Sequence, residues 1–206
     1  MGHSHQEVFL KRQSMREIHR KTKETDIKVQ LDMGKKTKVS LTSPLPFFNH
    51  MLHAMAFHGG FTLDVKASGD VEVDPHHLVE DTGLVLGAAL DEERQDAGGI
   101  TRYGSALIPM DDALGEVVVD TCGRPYLAWN VDWPQERAGD FDLFLLREFF
   151  WGLAVAGKMN LHVTLRYAQN GHHGAEALFK ALGRALSMAY QPISGGEGAM
   201  STKGSI

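Results

Sequence analysis

From Thr25 to Leu31 (TDIKVQL) the chain alternates polar and apolar positions, and alternation returns from Thr37 to Leu41, beyond the turn residues Met33-Gly34-Lys35. A period of two marks a half-buried strand, so a hairpin is predicted here. The period then lengthens. Between Pro46 and His58 the apolar residues Phe47, Met51 and Met55 recur every fourth position and the run stops at Gly59-Gly60, the pattern of a helix. Alternation resumes over Phe61 to Ala67 and Val71 to Val73. Asp74-Pro75 ends it, and a helix is predicted from His76, since the missing N–H of Pro75 costs nothing at a helix entry. The order then recurs, with strands at Glu116 to Asp120 and Tyr126 to Val131, a helix from Asp140 to Ala156, a strand at Met159 to Tyr167, the turn Asn170-Gly171 and a last helix to Tyr190.

Recurrence is also literal. His76 to Leu90 reads HHLVEDTGLVLGAAL and His172 to Leu186 reads HHGAEALFKALGRAL, sharing H-H-x-x-E-x5-L-G-x-A-L at an offset of 96. Upstream, Phe61-Thr62-Leu63-Asp64-Val65 aligns with Met159-Asn160-Leu161-His162-Val163 at an offset of 98, so the second half has a turn two residues shorter. In that register His50 stands opposite Glu148. The chain therefore reads as a flexible N-terminal arm (1–19), a first half-domain (20–96), a second half-domain (97–193) and a Gly-rich C-terminal tail (194–206). Each half is a sheet with helices packed on one face, which makes the fold class α+β with internal duplication.

Composition narrows the function. With 206 residues and 43% hydrophobic side chains the chain can bury a real core. A single cysteine, Cys122, removes any intramolecular disulfide and any thiolate zinc site, and points to a reducing, cytoplasmic setting. No apolar run approaches the ~18 residues of a membrane span, and the opening MGHSHQEVFLKRQ lacks the apolar stretch of a signal peptide. The balance of 21 basic against 26 acidic residues, a net charge of −5, gives no electrostatic reason to expect nucleic acid. P-loop, G-x-G-x-x-G, G-x-S-x-G and H-E-x-x-H motifs are absent.

The 11 histidines carry the chemistry. His3, His5 and His19 lie in the polar arm and read as solvated side chains. On a helix, residues four apart share a face, so His76 with Glu80, and His172 with Glu176, each present an imidazole and a carboxylate together, while His77 and His173 point about 100° away. One such box alone reads as helix-start histidines in solvent; two, with the acid preserved, read as metal-binding boxes. Nitrogen and carboxylate ligands without thiolate suit manganese, zinc, iron or nickel and disfavour calcium and magnesium. His50, on an otherwise apolar helix, and Glu148, between Arg147 and Phe149, are further ligand candidates. His162, on an alternating strand, reads as structural. Arg102, Arg124, Lys180 and Lys203 lie near glycines or, for Lys180, one turn after Glu176, where with Ser201 they suit an anionic phosphate group. A glycine-flanked tail carrying Ser201 and Lys203 suits a lid over such a ligand.

Together these stretches resemble the imidazoleglycerol-phosphate dehydratase family of histidine biosynthesis, from about Arg20 to Gly204. The match rests on Glu24-Thr25-Asp26-Ile27, Pro46-Phe47-Phe48-Asn49-His50-Met51-Leu52, His58-Gly59, His76-His77-Leu78-Val79-Glu80-Asp81, Pro109-Met110-Asp111, Gly123-Arg124-Pro125, His172-His173 through Glu176-Ala177-Leu178-Phe179-Lys180, and Ser201-Thr202-Lys203-Gly204. The resemblance implies two four-stranded sheets with helices packed on them, of the ribosomal protein S5 domain 2-like kind. It implies a hydro-lyase converting imidazole glycerol phosphate to imidazole acetol phosphate and water, two Mn2+ ions per site, and a 24-subunit homo-oligomer with sites between subunits. It assigns the metals to His50, His76, His77, Glu80, His172, His173 and Glu176, to which the internal register adds Glu148. Substrate contacts fall to Glu24, His50, His58, Arg102, Arg124, Lys180, Ser201, Thr202 and Lys203, and catalysis to Glu24, His77 and His173. Two ions on the substrate imidazole would favour an imidazolate that expels the side-chain hydroxyl, with Glu24 moving protons.

Three positions depart from the family pattern. Asn49 stands where many members have Asp, Ala54 where many have Gln, and Glu148 where many have His. Two other classes fit the residues alone: a dinuclear metal hydrolase of a phosphorylated small molecule, and a metal-assembled structural or storage protein.

Overall fold

The computed structural model describes residues 15–34 and 38–193. Its first four-stranded sheet contains β1 (Arg16–Lys21), β2 (Thr25–Asp32), β3 (Val39–Thr42) and β4 (Thr62–Gly69), in the spatial order β1-β2-β4-β3. Helix α1 (Pro46–Gly59) connects β3 to β4, and α2 (His76–Asp96) follows β4. The hairpin predicted between Thr25–Leu31 and Thr37–Leu41 is not formed. Instead β2 pairs antiparallel with β1 and β4, and β3 lies beyond β4 and parallel to it. A strand, a crossover helix and a second strand run parallel in this way because the helix returns the chain to its starting end. The free edge of β2 is taken by β1, which alternates exposed Glu17, His19 and Lys21 with half-buried Arg16, Ile18 and Arg20. Too few apolar residues mark that strand for its period to show, and the boundary drawn after residue 19 falls inside it. His19 is thus a strand residue, 2.7 Å from Asp26 Oδ1 across the ladder. Val71–Val73 is a turn.

The second sheet repeats the first with β5 (Tyr103–Met110), β6 (Ala113–Asp120), β7 (Tyr126–Asn130) and β10 (Asn160–Tyr167), ordered β5-β6-β10-β7. Its registers expose a longer repeat than the motifs did. Arg16 pairs with Leu31 as Gly104 pairs with Val119, and Val39 pairs with Leu63 as Leu127 pairs with Leu161. The first three strands are therefore offset by 88 residues, and the fourth strand, β4 against β10, by 98. The extra ten residues sit after β7, in a segment carrying the ribbon β8 (Arg137–Ala138) with β9 (Phe141–Asp142). This is why α3 (Leu145–Ala156) begins five residues later than the sequence pattern predicts. After β10 comes α4 (Gly171–Ala189).

Helices α1 and α2 pack on the first sheet and α3 and α4 on the second; the two helical layers meet through α1 on α4 and α2 on α3. Glycines at repeat-equivalent positions let these backbones touch. A Cβ at Gly183 would fall 2.0 Å from the Met55 carbonyl oxygen, and one at Gly87 2.7 Å from that of Leu153. Ile27, Val29, Leu63 and Val65 from one sheet and Val117, Val119, Leu161 and Val163 from the other fill the core, with Phe149 of α3 stacked on Phe179 of α4 and meeting Phe48 of α1 edge-on. No helix among the described residues is long and apolar enough to cross a membrane.

Candidate functional site

Helix α4 starts where the Asn170 side chain accepts from the His172 N–H at 2.8 Å, a side-chain cap on the first turn. Its buried face is Gly174, Ala175, Ala177, Leu178, Ala181, Leu182, Ala185 and Leu186. The four-residue spacing leaves His172, Glu176, Lys180 and Arg184 as a polar stripe, and α1 lies beside that stripe. The contact brings His50 of the first half to the second-half box. His50 Nε2 and His172 Nε2 each stand 3.5 Å from Glu176 Oε2, and one ligand atom from each of the three residues lies within 4.8 Å of the others. Phe47 meets the His172 ring edge-on at 5.3 Å. Asn49, the departure next to His50, points away to Ser43, accepting from its hydroxyl at 2.7 Å and donating to its carbonyl at 3.1 Å.

Burial works against the Glu176 carboxylate, but Lys180 donating at 2.8 Å, and the His50 and His172 rings nearby, hold it below the usual carboxylate range. Glu176 is thus an anion among imidazoles. Partial desolvation holds His58, at the exposed end of α1, below the usual imidazole value, with Lys180 adding to the effect.

The first-half box is less complete. His76 Nε2 is 3.4 Å from Glu80 Oε2, and Asp74, two residues ahead of the helix, accepts from the His76 N–H at 2.8 Å. Glu148, in the first turn of α3, is ion-paired with Arg147 at 3.2 Å. Among the described residues only His50, His172 and Glu176 form a cluster of three such ligands. Neither His77 nor His173 joins it. His77 Nδ1 faces Asp70 at 3.4 Å, and His173 Nδ1 is hydrogen-bonded to Asp112. Each partner raises its imidazole above the ordinary value.

Glu24 sits at the β1–β2 hairpin tip, exposed, and its charge contributes to the upward shift of His77. Its neighbour Thr25 anchors the tip by donating to buried Asp81 at 2.5 Å, and Arg20 pairs with the same carboxylate. Arg102 has φ +73° and forks onto Asp120, at 2.7 Å from Nε and 3.1 Å from Nη2. Arg124 is exposed after β6. Ser201, Thr202 and Lys203 lie outside the described residues. Asp70, Asp112 and Asp120 are partners that sequence reasoning missed, and Asp81, which ends the first-box stretch, was given no role; each meets its partner only once strands and helices have packed.

A family model described as imidazoleglycerol-phosphate dehydratase (IGPD) matches residues 43–186. The chain belongs to the imidazoleglycerol-phosphate dehydratase family. It is 49% identical over 189 residues to the imidazoleglycerol-phosphate dehydratase of Geobacter sp. (strain M21), covering 92% of this chain and 97% of that protein. It is 48% identical over 189 residues to that of Geobacillus sp. (strain WCH70), with the same coverage. Among solved structures, the Staphylococcus aureus dehydratase matches with a TM-score of 0.78 at 36% identity, over 87% of this chain and 100% of that one. IGPD of Pyrococcus furiosus matches with a TM-score of 0.79 at 38% identity, over 92% and 100%. The family makes the chain a hydro-lyase of histidine biosynthesis.

Proposed function

We propose that this dehydratase converts imidazole glycerol phosphate to imidazole acetol phosphate using two divalent ions per site, manganese by preference, and that the sites are completed between subunits of a cytoplasmic 24-subunit homo-oligomer. The convergence of His50, His172 and Glu176 from two helices of different halves carries the metal reading. Two imidazole nitrogens and an anionic oxygen within 4.8 Å fit a divalent transition metal, and the site has no thiolate to favour a softer ion. His76 and Glu80 offer a second, two-residue set, which Glu148 or a neighbouring subunit would complete. That shortfall supports sites shared between chains.

When bound, such ions act as Lewis acids that favour loss of the substrate's imidazole N–H proton. The remaining work falls to side chains. The Glu24 carboxylate would take the proton from the side-chain carbon next to the one that loses its hydroxyl; that hydroxyl would leave as water with the proton given up by the imidazole, and the resulting enol would become the ketone as its O–H proton returns to the ring and the Glu24 proton goes to the carbon that lost the hydroxyl. Thr25 and Asp81 fix the tip that carries Glu24. Arg102, Arg124 and Lys180, with Ser201, Thr202 and Lys203, hold the phosphate, which keeps the far end of the substrate in register.

The test is to strip the protein with chelator, add imidazole glycerol phosphate, and follow ketone formation and particle size while Mn2+ is returned. Ketone should appear only with metal. Ketone formation at an unchanged rate in the stripped protein would overturn the metal reading, and release of inorganic phosphate in place of ketone would indicate a hydrolase.

A further inference from the structure

The strand registers reveal an equivalence that the box motifs do not. The β1–β2 ladder ends at Lys21 with Asp26, and the equivalent rung of the β5–β6 hairpin is Pro109 with Leu114. Both tips have the same length, so Lys23-Glu24 at one corresponds to Asp111-Asp112 at the other. Each tip ends in an acid on the side of the second histidine of its half's box, Asp112 in contact with His173 and Glu24 acting on His77 only through its charge. In the second half the acid is engaged: Asp112 Oδ1 is hydrogen-bonded to His173 Nδ1, and Asp112 Oδ2 accepts from the Gln169 N–H at 3.0 Å. In the first half the contact to His77 Nδ1 comes instead from Asp70, at the end of β4, at 3.4 Å. The Asp70 N–H donates to the Glu24 carbonyl at 3.1 Å, tying the two together. Among the described residues the Glu24 carboxylate has no hydrogen-bond or ion-pair partner.

We infer that Asp112 and Asp70 are positioning residues, each holding its histidine through Nδ1 so that Nε2 is directed outward as the ligand atom, and that Asp70 thereby leaves Glu24 free for proton transfer. An imidazole bonded through Nδ1–H to a carboxylate is fixed in tautomer and ring orientation and is a better donor at Nε2. On the outer side, His173 Nε2 faces the exposed Asp111 carboxylate at 3.7 Å, beyond hydrogen-bond length. Asp112 and Asp70 come from non-equivalent places, so the two halves reach one arrangement by different routes. Glu24 is the tip acid released from that duty.

The inference rests on the metal reading above, and one titration separates their failures. Stripped wild type, Asp112→Ala, Asp112→Asn and Asp70→Ala are titrated with Mn2+, and free ion is read from its electron paramagnetic resonance signal. Wild type should take up metal. Asp112→Ala should weaken one class of site about 10- to 100-fold and leave the other unchanged. Asp70→Ala should weaken the other class, by less, since its contact is longer. Asp112→Asn keeps an acceptor for the Nδ1–H and should restore most of the loss, with all four proteins melting alike when metal-free. Wild-type uptake with an unaltered Asp112→Ala isotherm would overturn the positioning role alone. So would equal weakening of both classes with a lowered metal-free melting temperature, the mark of a general structural defect. No uptake by wild type would overturn the metal reading itself, and this inference with it.

Discussion

Gly183→Ala should loosen the joint between the two helical layers and pull the ligand cluster apart. The added Cβ would stand 2.0 Å from the Met55 carbonyl oxygen and 3.1 Å from the Gly59 nitrogen, both backbone atoms that no rotamer change can move. Real Cβ atoms essentially never come within 3.0 Å of such an atom, so α1 and α4 must separate by about 1 Å. Overpacking of this kind costs about 1–3 kcal/mol, and a clash with helix backbone belongs at the upper end. Gly87→Ala is the repeat-equivalent change, but its nearest atoms, Leu153 O and Gly157 N, are both 2.7 Å away. Its cost should be smaller. Gly60→Ala isolates the backbone contribution, because φ is +74° and a Cβ there meets nothing within 4 Å; about 1 kcal/mol is expected. Urea unfolding of the metal-free proteins at one concentration, followed by tryptophan fluorescence, gives the order Gly183→Ala, Gly87→Ala, Gly60→Ala from most to least destabilised. His50 precedes Met55 on α1 and Glu176 precedes Gly183 on α4, so only Gly183→Ala should also weaken metal uptake at the cluster joining those helices. A Gly183→Ala protein no less stable than Gly60→Ala, with wild-type metal uptake, would refute the reasoning.

Asp91 is buried yet accepts from Lys158 at 2.8 Å, Arg94 at 2.6 Å and Gln95 at 2.7 Å; burial raises its pKa, but these partners outweigh it and leave the group below its usual value. Its stabilisation is therefore present above the unfolded-state value near 3.9 and is lost as pH falls through the lower folded value, so Asp91→Asn should cost about 2 kcal/mol at pH 7 and flatten the acid limb of a urea-midpoint profile. His58 is also lowered, by partial desolvation first and Lys180 second, although its ring is exposed, so protonation opposes folding slightly as pH falls below about 6.5; His58→Gln should shrink the difference in urea midpoint between pH 5.5 and 7.5 by a small amount. Arg102→Lys keeps the charge but loses the two-pronged contact with Asp120, so KM for imidazole glycerol phosphate should rise about tenfold with kcat little changed; an unchanged KM would remove Arg102 from the phosphate site.

Elements whose apolar period is strong were legible in the sequence. The helix beginning at Pro46, the two box helices and the strand from Met159 all lie where their patterns put them, within a few residues. The failures have physical causes. β1 has one apolar side chain, Ile18, and is held by its ladder with β2 and by Arg16 and Arg20 reaching Glu93 and Asp81 on α2. Long-range ion pairs leave no period. β5 alternates exposed and half-buried residues, so it too lacks a strong apolar face. The expected hairpin is not formed because alternation reveals a strand but not its neighbour, and α1 between β3 and β4 decides the pairing.

At the site, the motifs revealed residues that meet along one helix but not those that meet across elements. His172 and Glu176 could be paired from spacing alone, and the offset of 98 set His50 opposite Glu148. It could not say that His50 reaches the box of the other half, a contact made by α1 packing on α4. Asp112 was harder still, since it corresponds to Glu24 only at an offset of 88, and that number exists only in the strand registers. The ten-residue insertion between β7 and α3 therefore explains both what was legible and what was not. Downstream of it the repeat keeps recognisable residues, because the two box helices share H-H-x-x-E-x5-L-G-x-A-L at fixed spacing. Upstream, paired backbones preserve the geometry while side chains diverge, and an acid beside a histidine becomes visible only in three dimensions.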